Sequence, residues 1–284
     1  MIDNLLFLVL AYISVVTIDR MHHQYTINKF GVETQLTLKF IFSAMILFIF
    51  SFFFFDFFLN FSTFLAPLFL FIYISLYIFS ITYTNKLIAT IDIFLFVLLL
   101  KLQTPINYFI DLLIGNVIFS FLILIGIAML VLGNVMLVDD NKKKRKIDRD
   151  VSFIMLFVVL IAWVSKSYII FFGLNNNYYN VELLSFVSAL SLGVFALFKY
   201  KKKIIFNKAS VLNYLGQGFT QSVYYLLYLK IMGISVFYTS VIEAIVSVII
   251  AILSPFVFGS NISKKDVLAI IIVLIGFLLI NYYY

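Results

Sequence analysis

Glu243 sits inside "VFYTSVIEAIVSVII" (236–250), an otherwise greasy stretch. Thr239, Glu243 and Ser247 follow at i, i+4 and i+8, which places them on one face of a helix. An ionisable group in such surroundings costs upward of about 2.5 kcal/mol, so by default it marks a function. The carboxyl has two chemical uses there: it binds a cationic ligand, or it takes up a proton. The plainer alternative is a neutral Glu hydrogen-bonded between helices.

Residues 88–114 hold a second polar set. Asp92, Gln103, Asn107 and Asp111 drift along one face, and an ideal helix puts Lys101 opposite Asp92. Lys101 therefore needs a partner, with Glu243 and Asp92 the candidates. Asp92 and Asp111 have a plainer reading, at the inner and outer interfaces. Pro105 removes a backbone hydrogen bond, which kinks a helix and frees carbonyls toward a cavity. Lys166 either snorkels to an interface or faces the cavity, and Lys39 is expected to snorkel. Asn213, Gln217, Gln221 and Tyr225 step by four, with Tyr224 and Tyr228 alongside; Tyr73, Tyr77 and Ser80 show matching spacing. Tyrosines and amides together suit an amphipathic ligand, and the rings attract an ammonium group. With 35 Phe and 18 Tyr in the chain, the alternative is an interfacial aromatic belt.

Other chemistries find no support. There is no Cys, so no thiolate site or disulfide, and no phosphate loop. The one His pair, His22-His23, lies in "MHHQY" without a zinc-binding frame, and adjacent residues do not share a helix face. We expect no metal, no cofactor and no enzyme activity there, and place both His in the first cytoplasmic loop.

The elements that must position these residues are membrane helices. The 284 residues are 64% hydrophobic and 12% charged, too few charges to coat a soluble domain. Apolar runs of about 20 residues recur along the chain, the length that crosses a bilayer as a helix. The expected spans are 3–18, 34–55, 64–83, 88–114, 116–137, 151–172, 182–198, 211–229, 234–257 and 266–282, with breaks at "TNK" (84–86) and at Gly115-Asn116. The N-terminus lacks a basic region and reads as a first span rather than a removable leader. Of the 20 basic residues, 16 fall in odd-numbered loops, six of them in "DDNKKKRKIDRD" (139–150). The positive-inside rule makes those loops cytoplasmic and both termini external, and it explains the net charge of +7 without a nucleic acid. The charged loop, which also suits anionic headgroups, divides the chain into 1–138 and 151–284.

Features recur between these halves at offsets of 143 to 145 residues. Gly115 falls on Gly259, Gly126 on Ala269, Gly133 on Gly276, Tyr83 on Tyr228, Thr90 on Ser235, and Ser43-Ala44 on Ser188-Ala189. An odd number of spans per copy inverts the second copy in the membrane, which is the plan of many carriers. "MGISVFYTSVIEAIVSVIIAILSPFVFGS" followed by "VLAIIIVLIG" resembles the EamA-like branch of the drug/metabolite transporter superfamily. "PINYFIDLLIGN" followed by "LIGIAMLVLG" resembles its first-half counterpart, with Pro105 at the proline position, and Ala162-Trp163 resembles its sixth span. The chain departs from that pattern after Gly115 and Gly259, where Asn116 and Ser260 replace the usual Glu.

The resemblance implies an all-α integral membrane fold of ten transmembrane helices in two inverted five-helix repeats, in a bacterial inner or plasma membrane. It also implies a carrier for small organic solutes, with a cavity lined by spans one, three, four, six, eight and nine. An amino acid or similar zwitterion is the first expectation for the substrate, and a small organic cation the second. The alternatives are a multispan enzyme acting on lipid-linked substrates, or a non-transporting partner of another membrane protein. An enzyme needs a polar cluster at one interface, where only "DRMHHQ" comes near. A partner protein needs no shared polar face.

Overall fold

Residues 2–90, 101–137, 149–258 and 262–283 are described by a computed structural model. Among them are ten helices and no strand, apart from a single antiparallel bridge between Leu59 and Tyr179. The helices are α1 (Ile2–Phe30), α2 (Val32–Ser51), α3 (Leu65–Thr90), α4 (Gln103–Leu113) and α5 (Phe121–Met136). Then follow α6 (Arg149–Asn175), α7 (Val181–Tyr200), α8 (Lys208–Ile234), α9 (Val236–Phe258) and α10 (Lys264–Tyr283). Helices are the expected outcome for a lipid-facing chain, because every backbone group then bonds within its own segment. α2, α3, α6, α7, α9 and α10 each contain a stretch long and apolar enough to cross a membrane. Asp92, the charged stretch 138–148, Gly259 and Ser260 lie outside the described residues.

The chain packs as two compact units, residues 1–78 with 168–234 and residues 79–167 with 235–284. Each unit takes segments from both sequence halves, so packing interleaves the division at 139–150.

In the first unit α2 lies antiparallel to α7. Gly193 meets α2 at Ile41, and one end of the pair is marked by the Phe48 and Phe186 rings, 6.0 Å apart. A Cβ on Gly193 would come within 2.9 Å of the Ile41 backbone nitrogen, so only Gly permits this approach. Gly218 of α8 makes an equally close approach to Ser43 of α2, beside a 3.0 Å hydrogen bond between the Ser43 and Ser222 hydroxyls. At one end, residues 56–60 are stapled to 178–180: the Asn60 N–H donates to the Tyr178 carbonyl (2.8 Å), and the Asn180 side-chain amide donates to the Asp56 carbonyl (2.6 Å).

In the second unit α5 lies antiparallel to α10. Gly126 approaches Gly276, and Gly133 approaches Ala269; a Cβ on Gly276 would fall 2.7 Å from the Gly126 carbonyl oxygen. The residues matched by the sequence offset are thus the ones at the contact. Small residues let apolar helices associate through close backbone packing where no water is available to drive them together. α4 likewise runs antiparallel to α9, with Asp111 near Ser235 and Lys101 near Ser247.

Several boundaries differ from expectation. α1 does not stop at residue 18 but continues to Phe30, so Asp19, Arg20 and the His pair are helical rather than in a loop. Nothing breaks it before Gly31, whose φ of 82° only Gly adopts readily. α3 runs through the expected break at 84–86, which contains neither Gly nor Pro. The break at Gly115-Asn116 is present. Gly115 has φ 78°, its N–H donates to the Leu112 carbonyl (3.2 Å), and the Asn116 N–H donates to the Asp111 carbonyl (2.8 Å). That pair of bonds is a Schellman motif ending α4, and α5 starts only at Phe121 rather than at 116. Pro105 lies in the first turn of α4, just after a turn at Leu102. Its missing N–H and its ring disfavour continuation of helix back through Lys101.

Candidate functional site

In the second unit, Lys166 of α6 and Lys101, which precedes α4, lie beside the Glu243 stretch of α9. Lys166 is 3% exposed, and its ammonium lies 3.6 Å from the centroid of the Trp163 ring, one turn away on α6. It does not snorkel. The Glu243 carboxyl acts electrostatically on this buried ammonium. Lys101, two residues before α4, donates to the Ser247 hydroxyl at 3.2 Å, on the face of α9 that carries Thr239, Glu243 and Ser247. Ser247 in turn donates to the Glu243 backbone carbonyl (3.3 Å), and Thr239 to that of Ser235 (2.8 Å). Trp163 is fixed from its edge, its indole N–H donating to Thr84 at 3.2 Å. Asn107 is fully buried on α4, and Gln103 is half-buried in its first turn.

The orientation of α9 is set at its N-terminus. The Ser235 hydroxyl accepts from the Tyr238 N–H (3.0 Å), capping the helix in the usual way. Asp111 adds a second cap from outside. Its carboxylate accepts from the Ser235 hydroxyl (3.0 Å) and from the Phe237 N–H (3.1 Å). Asp111 is fully buried within the unit. It satisfies one of the four backbone N–H groups that a helix start leaves open, and holds the capping hydroxyl as well.

In the first unit the expected stripe of α8 is buried. Gln217, Gln221 and Tyr225 all face inward, and Gln217 donates to Thr26 of α1 at 2.8 Å. Tyr73 shares a 2.5 Å hydrogen bond with Ser188, stacks on Tyr77 at 5.7 Å, and Tyr77 meets Tyr225 at 6.3 Å. Tyr12 joins Tyr224 and Tyr228 at 5.8 and 6.2 Å. These rings pack on one another inside the unit, unlike the terminal Tyr282, which is exposed as an aromatic belt would be.

No family model matches the chain, and no curated protein matches it. Among solved structures, one described only as "Crystal structure of protein" is similar, with a TM-score of 0.75 at 10% identity. The match covers 97% of this chain and 96% of that one. At that identity it speaks for a shared fold and nothing further.

One buried ionic site escaped the sequence reading. Lys39 was expected to snorkel, yet it is 5% exposed and pairs with Asp19 at 2.7 Å. The other Asp19 oxygen accepts from Thr220 of α8 at 3.1 Å. The cause is the length of α1. Asp19 and Lys39 stand about three and two turns from Gly31, on the two arms of a helical hairpin. The signal that could have revealed the pair is an acid and a base at comparable distances on the two sides of a single Gly.

Proposed function

We propose that the chain is a secondary carrier moving a small organic metabolite across a membrane by alternating access. Its ten helices are read as ten spans, in two inverted copies of five. A zwitterion such as an amino acid is the leading substrate class. One observation carries the reading: Lys166 and Trp163 of α6, Glu243 and Ser247 of α9, and Lys101 just before α4 come together in one unit. Groups of both signs, beside an aromatic face, are costly in an apolar bundle unless they are used. Together they can address both ends of a zwitterion.

Further support comes from helix direction. Each of the pairs α2–α7, α4–α9 and α5–α10 joins equivalent helices of the two halves, and each is antiparallel. A helix and its counterpart point in opposite directions when the second copy is inverted. Cytoplasmic odd loops and external termini follow from the charge distribution.

Glu243→Gln tests the reading, because it keeps shape and hydrogen bonding while removing ionisation. If Glu243 carries a coupling proton, the variant binds substrate but loses its dependence on a pH gradient. If it holds the substrate ammonium, affinity itself falls. Binding and gradient-driven uptake are measured on the same variant, and wild-type values for both would remove Glu243 from the mechanism.

A further inference from the structure

The Asp19–Lys39 pair is used neither by the expected cavity residues nor by the cluster around Glu243. It bridges α1 and α2, reaches α8 through Thr220, and is buried on every side. Rings border it. The Lys39 ammonium lies 5.8 Å from the Phe40 ring, and Phe40 lies 6.3 Å from Tyr225.

We propose that Asp19 and Lys39, assisted by Thr220, form a binding site for a zwitterion, with Asp19 taking its ammonium and Lys39 its carboxylate. The inference rests on the carrier reading above and adds a site to it.

Charge conservation selects the ligand. Removing one partner of a buried ion pair is costly because it leaves the other charge uncompensated. A cation that displaced Lys39 from Asp19 would leave the Lys39 ammonium naked. An anion that displaced Asp19 from Lys39 would strand the carboxylate. A proton on Asp19 would likewise leave the lysine charged and alone. A molecule bearing both signs on neighbouring atoms enters differently: one ion pair becomes two, and no charge is left without a partner. Thr220 still donates to the free carboxylate oxygen. Phe40, whose ring already lies 5.8 Å from the Lys39 ammonium, offers a face to the incoming ammonium, an attraction that strengthens when water is excluded. Because the pair ties three helices together, exchange of Lys39 for a ligand also loosens α1 from α2. A bound zwitterion thus has different contacts from those of the closed unit, which ligand-driven conformational change requires.

The test uses the full-length protein purified in lipid nanodiscs, with ligand-dependent thermal stabilisation read over a titration. The probes are matched sets: L-alanine and L-leucine; their cationic amides; and propionate and 4-methylpentanoate as anions. The expectation is that the amino acids stabilise the wild type, and that amides and acids do so at least about tenfold more weakly. Measured in a Glu243→Gln background, so that the cluster around Glu243 does not supply the signal, Asp19→Asn and Lys39→Met each lose the amino-acid response. The double exchange Asp19→Lys with Lys39→Asp keeps a buried pair and recovers it. Thr220→Val, which leaves the pair intact, weakens the response without abolishing it.

Amides binding as well as amino acids would overturn the zwitterion assignment. Amino-acid binding unchanged in both single variants would overturn the site while leaving the carrier reading standing. No amino-acid response in the wild type overturns the proposal; absence of uptake of any solute in proteoliposomes would remove the carrier reading with it. Ligand-free unfolding temperatures separate a lost site from a lost fold, and a destabilised single variant is judged by the double exchange.

Discussion

Trp163 is the only tryptophan in the chain, and it carries the Lys166 ammonium on its face. Its fluorescence is therefore a built-in reporter of the cluster around Glu243. Lys166→Met removes the charge while keeping much of the side-chain volume. Its emission spectrum is expected to shift relative to wild type, because the indole loses a cation at van der Waals range. Substrate addition should change wild-type emission and leave that of Lys166→Met nearly constant. Identical spectra for the two proteins would mean that the ammonium does not rest on the ring. Individual residues were only partly legible from sequence. The faces of Thr239, Glu243 and Ser247, and of Gln217, Gln221 and Tyr225, follow from helical period alone; the structure buries Gln217, Gln221, Tyr225 and Thr239 and leaves Glu243 and Ser247 half-buried. Lys39 was misplaced because its partner, Asp19, lies on another helix, α1. Spacing along one helix cannot show that.

At the scale of elements, the glycines of α5 and α10 are what the packing depends on. A side chain on Gly133 would start with its Cβ 2.5 Å from a Val273 methyl and 2.9 Å from the Ala269 carbonyl oxygen. The methyl can rotate away, but the carbonyl belongs to a helix backbone and cannot. Gly133→Val is expected to destabilise by about 1–3 kcal/mol or more through overpacking. Thermal unfolding in detergent measures it, and an unchanged midpoint would show that α10 slides aside freely. By contrast, Gly216 has nothing within 4 Å of its added Cβ, so Gly216→Ala serves as a neutral control. The existence of all ten helices could be read from apolar length, while their ends could not. The polar run Asp19–Gln24 reads as a loop by composition, yet only Gly31 supplies a backbone conformation that stops α1. The start of α5 was misread for the converse reason. Residues 116–120 are apolar enough to belong to a helix, but the Schellman bonds at Gly115 turn the chain before them.

At the scale of the whole molecule, the charge distribution predicts that a reporter fused after Tyr284 reads as external. A cytoplasmic signal from a normally inserted fusion would overturn the span count, since one span more or fewer inverts the C-terminus. Gly126, Gly133, Ala269 and Gly276, four of the residues that share the sequence offset, are also the ones at the close contact between α5 and α10. Where apolar side chains merely face lipid, residues interchange freely and the offset fades.

The pairing of α5 with α10 also sets a clock on biosynthesis. The last residue of α5 precedes the last residue of α10 by roughly 150 positions, and ribosomes add about 5–20 residues each second. For about 7 to 30 seconds the glycine face of α5 is therefore in the bilayer without the helix shaped to cover it. α2 waits in the same way for α7, and α4 for α9. During that interval, α10 of a neighbouring nascent chain presents the same complementary surface as the chain's own. The route from a slow or crowded ribosome to an exchanged dimer is thus short, and the pace of elongation between Met136 and Lys264 governs how much protein closes upon itself.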